Sequence, residues 1–507
     1  MEGISKKIYL DINEPTEEDS RSYQKRILET LEEKGYCVRM TLSCMRKLYP
    51  LCDIAKWKLT VSLAWDGGQW IMVDLEAGDT VSKHYGLAVD LGSTTVVTRL
   101  LDCNTGEGIG EVSCYNRQIA YGMDILTRIF YCREHKEGLE EIRKATIDSI
   151  LENLRELKEE TGIDAESCIE MVISGNTTMI HFLLGMDAFC VFSTPYAVRA
   201  DKPGFFRGEE LGIPVSGYVF CYPGKSNYLG GDIVSGMIAT ELYKEEEIGV
   251  FFDIGTNGEL VIGNREFLLC GAGAAGPALE GGVVRTGMRA SAGAVDKVYL
   301  RNGVFQSHVI GAEKACGICG SGIIDLIAEL FLHGWIDFRG KLDPGKSPLI
   351  QRRDGMYAVK YAPGLFFYQE DIDEFIRTKA AAYTMVEYML RESGISMEEI
   401  ARFYVAGAFG KHVSKESAIV IGLYPDMDRD CLINVGNSSL AGAVRLLLDR
   451  RVLDDIEGIL EKMVYIQFGA VDDFLHMMVA AQAIPHTDIK RYPSVWERLA
   501  PNLRQLF

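Results

Sequence analysis

The sequence predicts an α/β protein of two related lobes preceded by a small α+β module, and three observations predict it. The stretch Leu87 to Leu101 holds a short apolar strand, Asp90, Gly92, a run of hydroxyl residues and a returning strand. Val250 to Ile262 repeats that plan around Asp253 and Gly255, a duplication of a whole domain rather than of a solenoid unit. Residues 1–84 have a different texture and lack such a turn.

The bulk properties bound the classes. At 507 residues the chain is too long for one core and long enough for several domains. The apolar share of 47% with 25% charged residues is that of a folded protein. A net charge of -19 excludes a broad basic surface for nucleic acid. It suits a small anion held by backbone N–H groups, a protein partner, or solubility alone. No apolar run has bilayer length, and Ile8-Tyr9-Leu10 before Asp11 is too short for a signal core, so neither a membrane span nor export is expected. Thirteen scattered cysteines, an odd number, argue for reduced thiols and a cytoplasmic location.

Along the chain, Ser20 to Leu31 carries a helical apolar stripe at Tyr23, Ile27, Leu28 and Leu31. Trp57 to Leu63 alternates like a strand, Asp66-Gly67-Gly68 turns, and Gln69 to Leu75 returns. From Tyr85 the first lobe begins, with its strand–turn–strand, a long helix over about residues 138–160, and the strand Met171-Val172-Ile173 running into Ser174-Gly175-Asn176-Thr177. Domains are expected at 1–84, 85–229 and 230–507, with the tail beyond Leu453 packing back on the core.

The two Asp–x–Gly turns carry the chemistry. A strand delivers a carboxylate, glycine lets the backbone approach a phosphate, and the N–H and hydroxyl groups that follow make an anion cradle. Asp90 and Asp253 are expected to hold Mg²⁺ through waters, since a carboxylate repels phosphate. Gly92, Ser93, Thr94, Thr95 and Gly255, Thr256, Asn257, Gly258 would line a triphosphate gripped from both lobes. A single such turn reads better as a mere turn after a buried strand; two, about 160 residues apart, are the stronger signal. Phe403 to Gly410, with Gly407, Phe409 and Gly410, suits an adenosine or a tight strand-to-helix turn. Gly317 to Gly322, with Gly320 and Ser321, opens a helix as an anion site does. Asp232 is a candidate for orienting the attacking water or binding Mg²⁺, and equally an N-cap; Glu280 is similar. His181 reads as a core histidine, the histidines show no metal spacing, and no P-loop motif is present.

The order of these elements, closing on Gly436-Asn437-Ser438-Ser439, resembles that of the acetate kinase/sugar kinase/heat-shock chaperone/actin superfamily, with its ribonuclease H-like lobes. Ser174-Gly175-Asn176-Thr177-Thr178-Met179, Gly276-Pro277-Ala278-Leu279-Glu280-Gly281-Gly282, Gly317-Ile318-Cys319-Gly320-Ser321-Gly322 and Val435-Gly436-Asn437 look like the ATPase part of the reductive activators of corrinoid proteins. The likeness runs from about 85 to 495, and Glu14 to Asp19 before a helix is similar to the module preceding that ATPase. The resemblance implies an ATPase that binds a corrinoid protein and couples ATP turnover to reduction of Co(II) to Co(I). It implies catalytic roles for Asp90, Asp232 and Asp253, nucleotide contacts from Asn176, Gly436 and Asn437, and leaves a homodimer open.

The sequence departs from that family in its cysteines. Members usually carry an iron–sulfur cluster, but the spacing of Cys37, Cys44 and Cys52 does not fit one, and no cysteine follows Cys431. No cluster is therefore expected in this chain: either the cluster-bearing part lies outside this sequence, or the electron comes from a separate iron–sulfur protein. The one C-x-x-C, Cys316 and Cys319, would hold a cluster only if two pairs met across a dimer axis; a small residue in a tight loop explains each as well. The competing readings are a small-molecule kinase on the same scaffold and a nucleotide-gated binding module without useful turnover.

Overall fold

The computed structural model describes residues 2–255, 257–273, 282–311, 314–407, 413–466, 472–499 and Arg504. The chain forms two compact units, Met1–Ala239 with Ser438–Glu461, and Thr240–Asn437 with Lys462–Phe507.

The first unit opens with a four-stranded sheet built from β1 (Ser5–Asp11), β2 (Val38–Met40), β3 (Lys58–Trp65) and β4 (Trp70–Ala77), in the order β1-β3-β4-β2. The antiparallel β3–β4 hairpin is the one the alternation at 57–75 predicts. Helices Tyr23–Glu33 and Leu42–Ile54 cover one face; Ile27, Leu31, Cys44 and Cys52 are buried there against Trp57 and Leu59. The other face, through Ala64, Ile71 and Val73, packs on Ile169 and Tyr218 of the next sheet.

That sheet has the order β7-β6-β5-β8-β10-β9, from β5 (Tyr85–Leu91), β6 (Thr95–Asp102), β7 (Gly108–Tyr115), β8 (Cys168–Gly175), β9 (Gly204–Arg207) and β10 (Tyr218–Cys221). Strands β5, β6 and β7 are antiparallel neighbours, while β5–β8 and β8–β10 run parallel. Alternation along β5 sends Leu87, Val89 and Leu91 into a core shared with helix Gly138–Thr161, whose Ile142, Ile150, Leu154 and Leu157 recur at helical spacing. Gly162 in the left-handed conformation ends that helix, its N–H bonding Lys158 O at 2.9 Å. The opposite face of β5 meets helix Ser438–Leu448: a Cβ on Gly86 would lie 3.2 Å from Leu447 Cδ2.

The first unit is thus larger than the 85–229 lobe read from sequence. It includes helix Gly231–Thr240 as far as Ala239 and takes back Ser438–Glu461. Ser235 Oγ donates to Ser439 O at 2.7 Å, and a Cβ on Gly442 would lie 2.0 Å from Ser235 O. Only a glycine permits so close a helix crossing, and no local pattern announces it.

The second unit repeats the plan. Strands β11 (Ile248–Ile254), β12 (Gly258–Gly263) and β13 (Leu268–Gly273) form an antiparallel ribbon. An insert carries β14 (Ala294–Arg301), β15 (Val304–Val309) and β16 (Gly317–Ile318) in one small sheet, and β17 (Ile350–Arg353), β18 (Met356–Ala362) and β19 (Leu365–Tyr368) in another. Then β20 (Ile400–Ala406), β21 (Leu432–Gly436) and β22 (Met463–Ile466) complete the main sheet, β21-β20-β11-β12-β13-β22. Its β11–β20 and β20–β21 pairs are parallel, as β5–β8 and β8–β10 are. The tail packs back as expected: β22 pairs with β13, and Lys379 Nζ, buried on helix Gln369–Ser393, donates to Ala481 O, Ala483 O and Pro485 O at 2.6–2.7 Å.

Candidate functional site

In the first unit Asp90 lies near the end of β5, paired in register with Ser174 of the parallel β8. Ser439 Oγ donates to Asp90 Oδ1 at 2.8 Å and lies 2.9 Å from Ser174 Oγ. The turn after Asp90 closes through Gly92 N–H to Thr95 O at 3.1 Å. Its carbonyls are all tied inward. Gly92 O accepts from Asn116 Nδ2 at 2.9 Å, Ser93 O from Arg128 Nη1 at 2.6 Å, and Thr94 O from Asn116 N–H at 2.9 Å. The N–H groups of Ser93 and Thr94 have no partner among the described residues. With the repelling carbonyls occupied and two donors left over, the turn has the donor arrangement an anion cradle requires. Asp232 starts helix Gly231–Thr240; burial pushes its carboxyl up to about 7, and the charge of Asp90 adds to the shift.

The second unit builds the same corner. Asp253 lies near the end of β11, in register with Ala406 of β20, which pairs in turn with Gly436 of β21. Gly255 N–H closes the turn on Asn257 O at 2.9 Å, and Gly258 opens β12. Thr256, between them, lies outside the described residues. The correspondence extends to the glycines at the ends of the parallel strands, Gly175 closing β8 and Gly407 following β20. A Cβ on Gly175 would lie 2.7 Å from Leu91 O, and one on Gly407 2.7 Å from Ile254 O. Gly407, at φ 92°, would also bring that Cβ within 2.9 Å of Asp253 Oδ1. Each carboxylate therefore has a glycine from the neighbouring strand end packed against the backbone beside it.

Sequence comparison identifies the family. The RACo linker region matches residues 1–82, the RACo middle region residues 85–245, and the C-terminal domain of RACo, the ASKHA domain, residues 247–496. The chain belongs to the RACo family. A solved reductive activator for corrinoid, iron-sulfur protein superposes with a TM-score of 0.91 at 34% identity, covering 97% of this chain and 81% of that one. The corrinoid activation enzyme RamQ of Eubacterium limosum is 29% identical over 445 residues, 84% of this chain and 73% of its own. The Co(II) methylated amine-specific corrinoid protein reductase of Methanosarcina barkeri is 24% identical over 75% of this chain and 73% of its own.

Within this RACo-family chain the remaining predicted residues have mixed settings. Asn176 caps helix Thr177–Leu183, its Oδ1 accepting from Met179 N–H at 3.0 Å. Gly436, at φ 63°, and Asn437 stand at the sheet end that carries Asp253, by way of the β11–β20–β21 register. Gly320 and Ser321 belong instead to a helix on the β14–β16 sheet. Ser321 Oγ donates to Asp296 O at 3.0 Å, so its hydroxyl serves packing, and its backbone alone is left for a ligand. Phe409, Gly410 and Glu280 lie outside the described residues. Cys316 is exposed; Cys319 is buried, its Sγ 3.4 Å from Val295 O and 3.3 Å from Ser321 Oγ. Among the described residues no cluster of His, Cys, Asp or Glu is set to hold a metal, and no helix is long and apolar enough to cross a membrane. His181 is the core histidine the sequence suggests, bonded to Thr177 O and to Arg199 N–H.

Sequence reasoning missed Asn116, Arg128, Ser174 as a polar partner, and Ser439. Asn116 stands directly after a strand that ends in Tyr115, a detectable sign. Arg128 lies in the amphipathic helix Ile125–Glu134 and gives no local sign that it is buried.

Proposed function

We propose that this chain is an ATP-dependent reductive activator of a corrinoid protein. The observation that carries the reading is the doubled strand–Asp–turn corner in a chain of the RACo family, with the first turn's carbonyls tied and its N–H groups left for an anion. The phosphate contacts for ATP would be Gly92 to Thr95 and, in the repeated corner, Gly255, Thr256, Asn257 and Gly258. Mg²⁺ would be held near Asp90 and Asp253 through water, where it supplies charge neutralisation for phosphoryl transfer. Asp232, its carboxyl raised by burial, would orient the attacking water or help bind Mg²⁺. Gly407, Gly436 and Asn437, with Phe409 and Gly410, would contact the adenosine.

The activity follows from coupling. One electron from a separate iron–sulfur protein converts Co(II) to Co(I) in the corrinoid partner. Moving one electron costs about 2.3 kcal/mol per 100 mV, so a shift of ~100–200 mV lies within an allosteric coupling of a few kcal/mol. Binding energy that favours one cobalt state supplies it, and ATP hydrolysis releases the partner.

Calorimetry with Mg-ATP tests the first half: a chain that binds no ATP overturns the reading. The second half is read by cobalt absorbance. A Co(II) corrinoid protein with a reduced iron–sulfur donor should show Co(I) only when this chain and ATP are both added. ADP formation that ignores the corrinoid protein and requires a small hydroxylated acceptor, which takes the phosphoryl group in place of water, would favour the kinase alternative.

A further inference from the structure

Arg128 is a fully buried arginine without a carboxylate. Its guanidinium donates to Gly122 O at 2.8 Å, Ser93 O at 2.6 Å and Gln118 Oε1 at 3.0 Å, and its second terminal nitrogen, Nη2, has no partner. Every acceptor is neutral, and among the described residues no carboxylate lies within ion-pair distance; Asp124, at the start of the same helix, acts only from further off. Burial pulls its pKa down to about 10, which still leaves it charged at neutral pH. The groups around it are locked in turn. Gln118 Nε2 donates to Thr146 Oγ1 at 2.6 Å, and Asn116 Oδ1 accepts from Gln118 N–H at 3.0 Å. A buried cation with only neutral acceptors is costly, and an anion bound at the turn it supports would offset part of that cost. The one ligand surface it touches is the 92–94 turn.

We infer that Arg128 is a phosphate-positioning residue: it fixes the Gly92-Ser93-Thr94 cradle through Ser93 O and places an uncompensated positive charge behind the N–H groups that meet a nucleotide polyphosphate. This rests on the reading of the chain as an ATP-binding protein and adds a residue to it. The charge acts from inside, through the turn, so its effect grows with the charge of the nucleotide. A purely structural arginine would affect every adenine ligand alike.

The experiment uses the full chain and measures the affinities of ATP, ADP and AMP with Mg²⁺ by calorimetry, with urea unfolding as the stability control. Gln118→Glu puts a carboxylate where Gln118 Oε1 now accepts from Arg128, giving the guanidinium an internal counter-ion without removing it. It should weaken ATP by about 10-fold, ADP less and AMP within about 2-fold, with cooperative unfolding kept although the Nε2 bond to Thr146 is lost. Arg128→Lys should keep part of the charge effect, and Arg128→Gln should lose it in the same ATP-over-AMP order. Equal losses for all three nucleotides, or unchanged ATP affinity in folded Gln118→Glu, would overturn the inference. A wild-type chain that binds no ATP refutes the parent reading instead. Should the Arg128 variants not fold, Gln118→Glu decides the matter alone.

Discussion

Substituting alanine for Gly407 perturbs the second carboxylate without touching it chemically. At φ 92° an L-residue is strained by about 1–2 kcal/mol. The new Cβ would lie 2.9 Å from Asp253 Oδ1 and 2.7 Å from Ile254 O. Ordinary contact begins near 3.4 Å, so the carboxylate must retreat by 0.5 Å, the difference of 3.4 and 2.9. The carbonyl cannot yield as easily, because β11 is paired on both sides by β12 and β20. A 1 Å misplacement of reacting groups costs up to ~100-fold in rate, so about half that displacement predicts a fall of ~10-fold. The assay is Mg-dependent phosphate release, read beside ATP affinity and urea unfolding. G407A should unfold cooperatively about 1–3 kcal/mol earlier and bind ATP within a few-fold, yet turn over ~10-fold more slowly. Wild-type turnover in G407A would refute the claim that this glycine holds Asp253 in place. Gly175→Ala should act likewise beside Asp90, by way of Leu91 O.

Three further outcomes concern stability. Lys379→Met strands three buried carbonyls that now share its ammonium, and should cost about 3–5 kcal/mol in urea unfolding; a loss below about 1 kcal/mol would contradict the clamp. Glu170 is fully buried, and burial, aided by Asp66 and opposed only by the Trp65 backbone N–H, drives its pKa well above the carboxylate range. Glu170→Leu should therefore stabilise the first unit by about 1–4 kcal/mol at pH 7 and above, and a destabilised variant would show that the carboxyl is needed there. His84, bonded to Ser5 Oγ at 2.8 Å, has its pKa lowered from 6.5 to about 4 by burial, with Lys7 and Lys6 lowering it and Asn104 and Asp102 opposing. Below pH 6.5 the unfolded chain takes up a proton that the folded one refuses. This contribution is present above pH 6.5 and falls away by about 2–3 kcal/mol on acidification to pH 4.5. Tryptophan fluorescence of urea unfolding at the two pH values should show that loss in the wild type and a flatter profile in His84→Gln.

The local chemistry of this protein was legible in its residues. An apolar run ending in Asp90-Leu91-Gly92, and again in Asp253-Ile254-Gly255, dictates a strand, a tight turn and a returning strand, because each step depends only on neighbours in the chain. The long helix over 138–161 and the hairpin of residues 58–77 were legible for the same reason. Tertiary structure alone decided what stands behind those turns. The inward-tied carbonyls depend on Asn116 and Arg128, which come from other elements, and Asp90's partner Ser439 comes from a helix hundreds of residues later in the chain. The return of Ser438–Glu461 to the first unit rests on a Gly442–Ser235 crossing set by close backbone approach, and such contacts leave no period or spacing in the sequence.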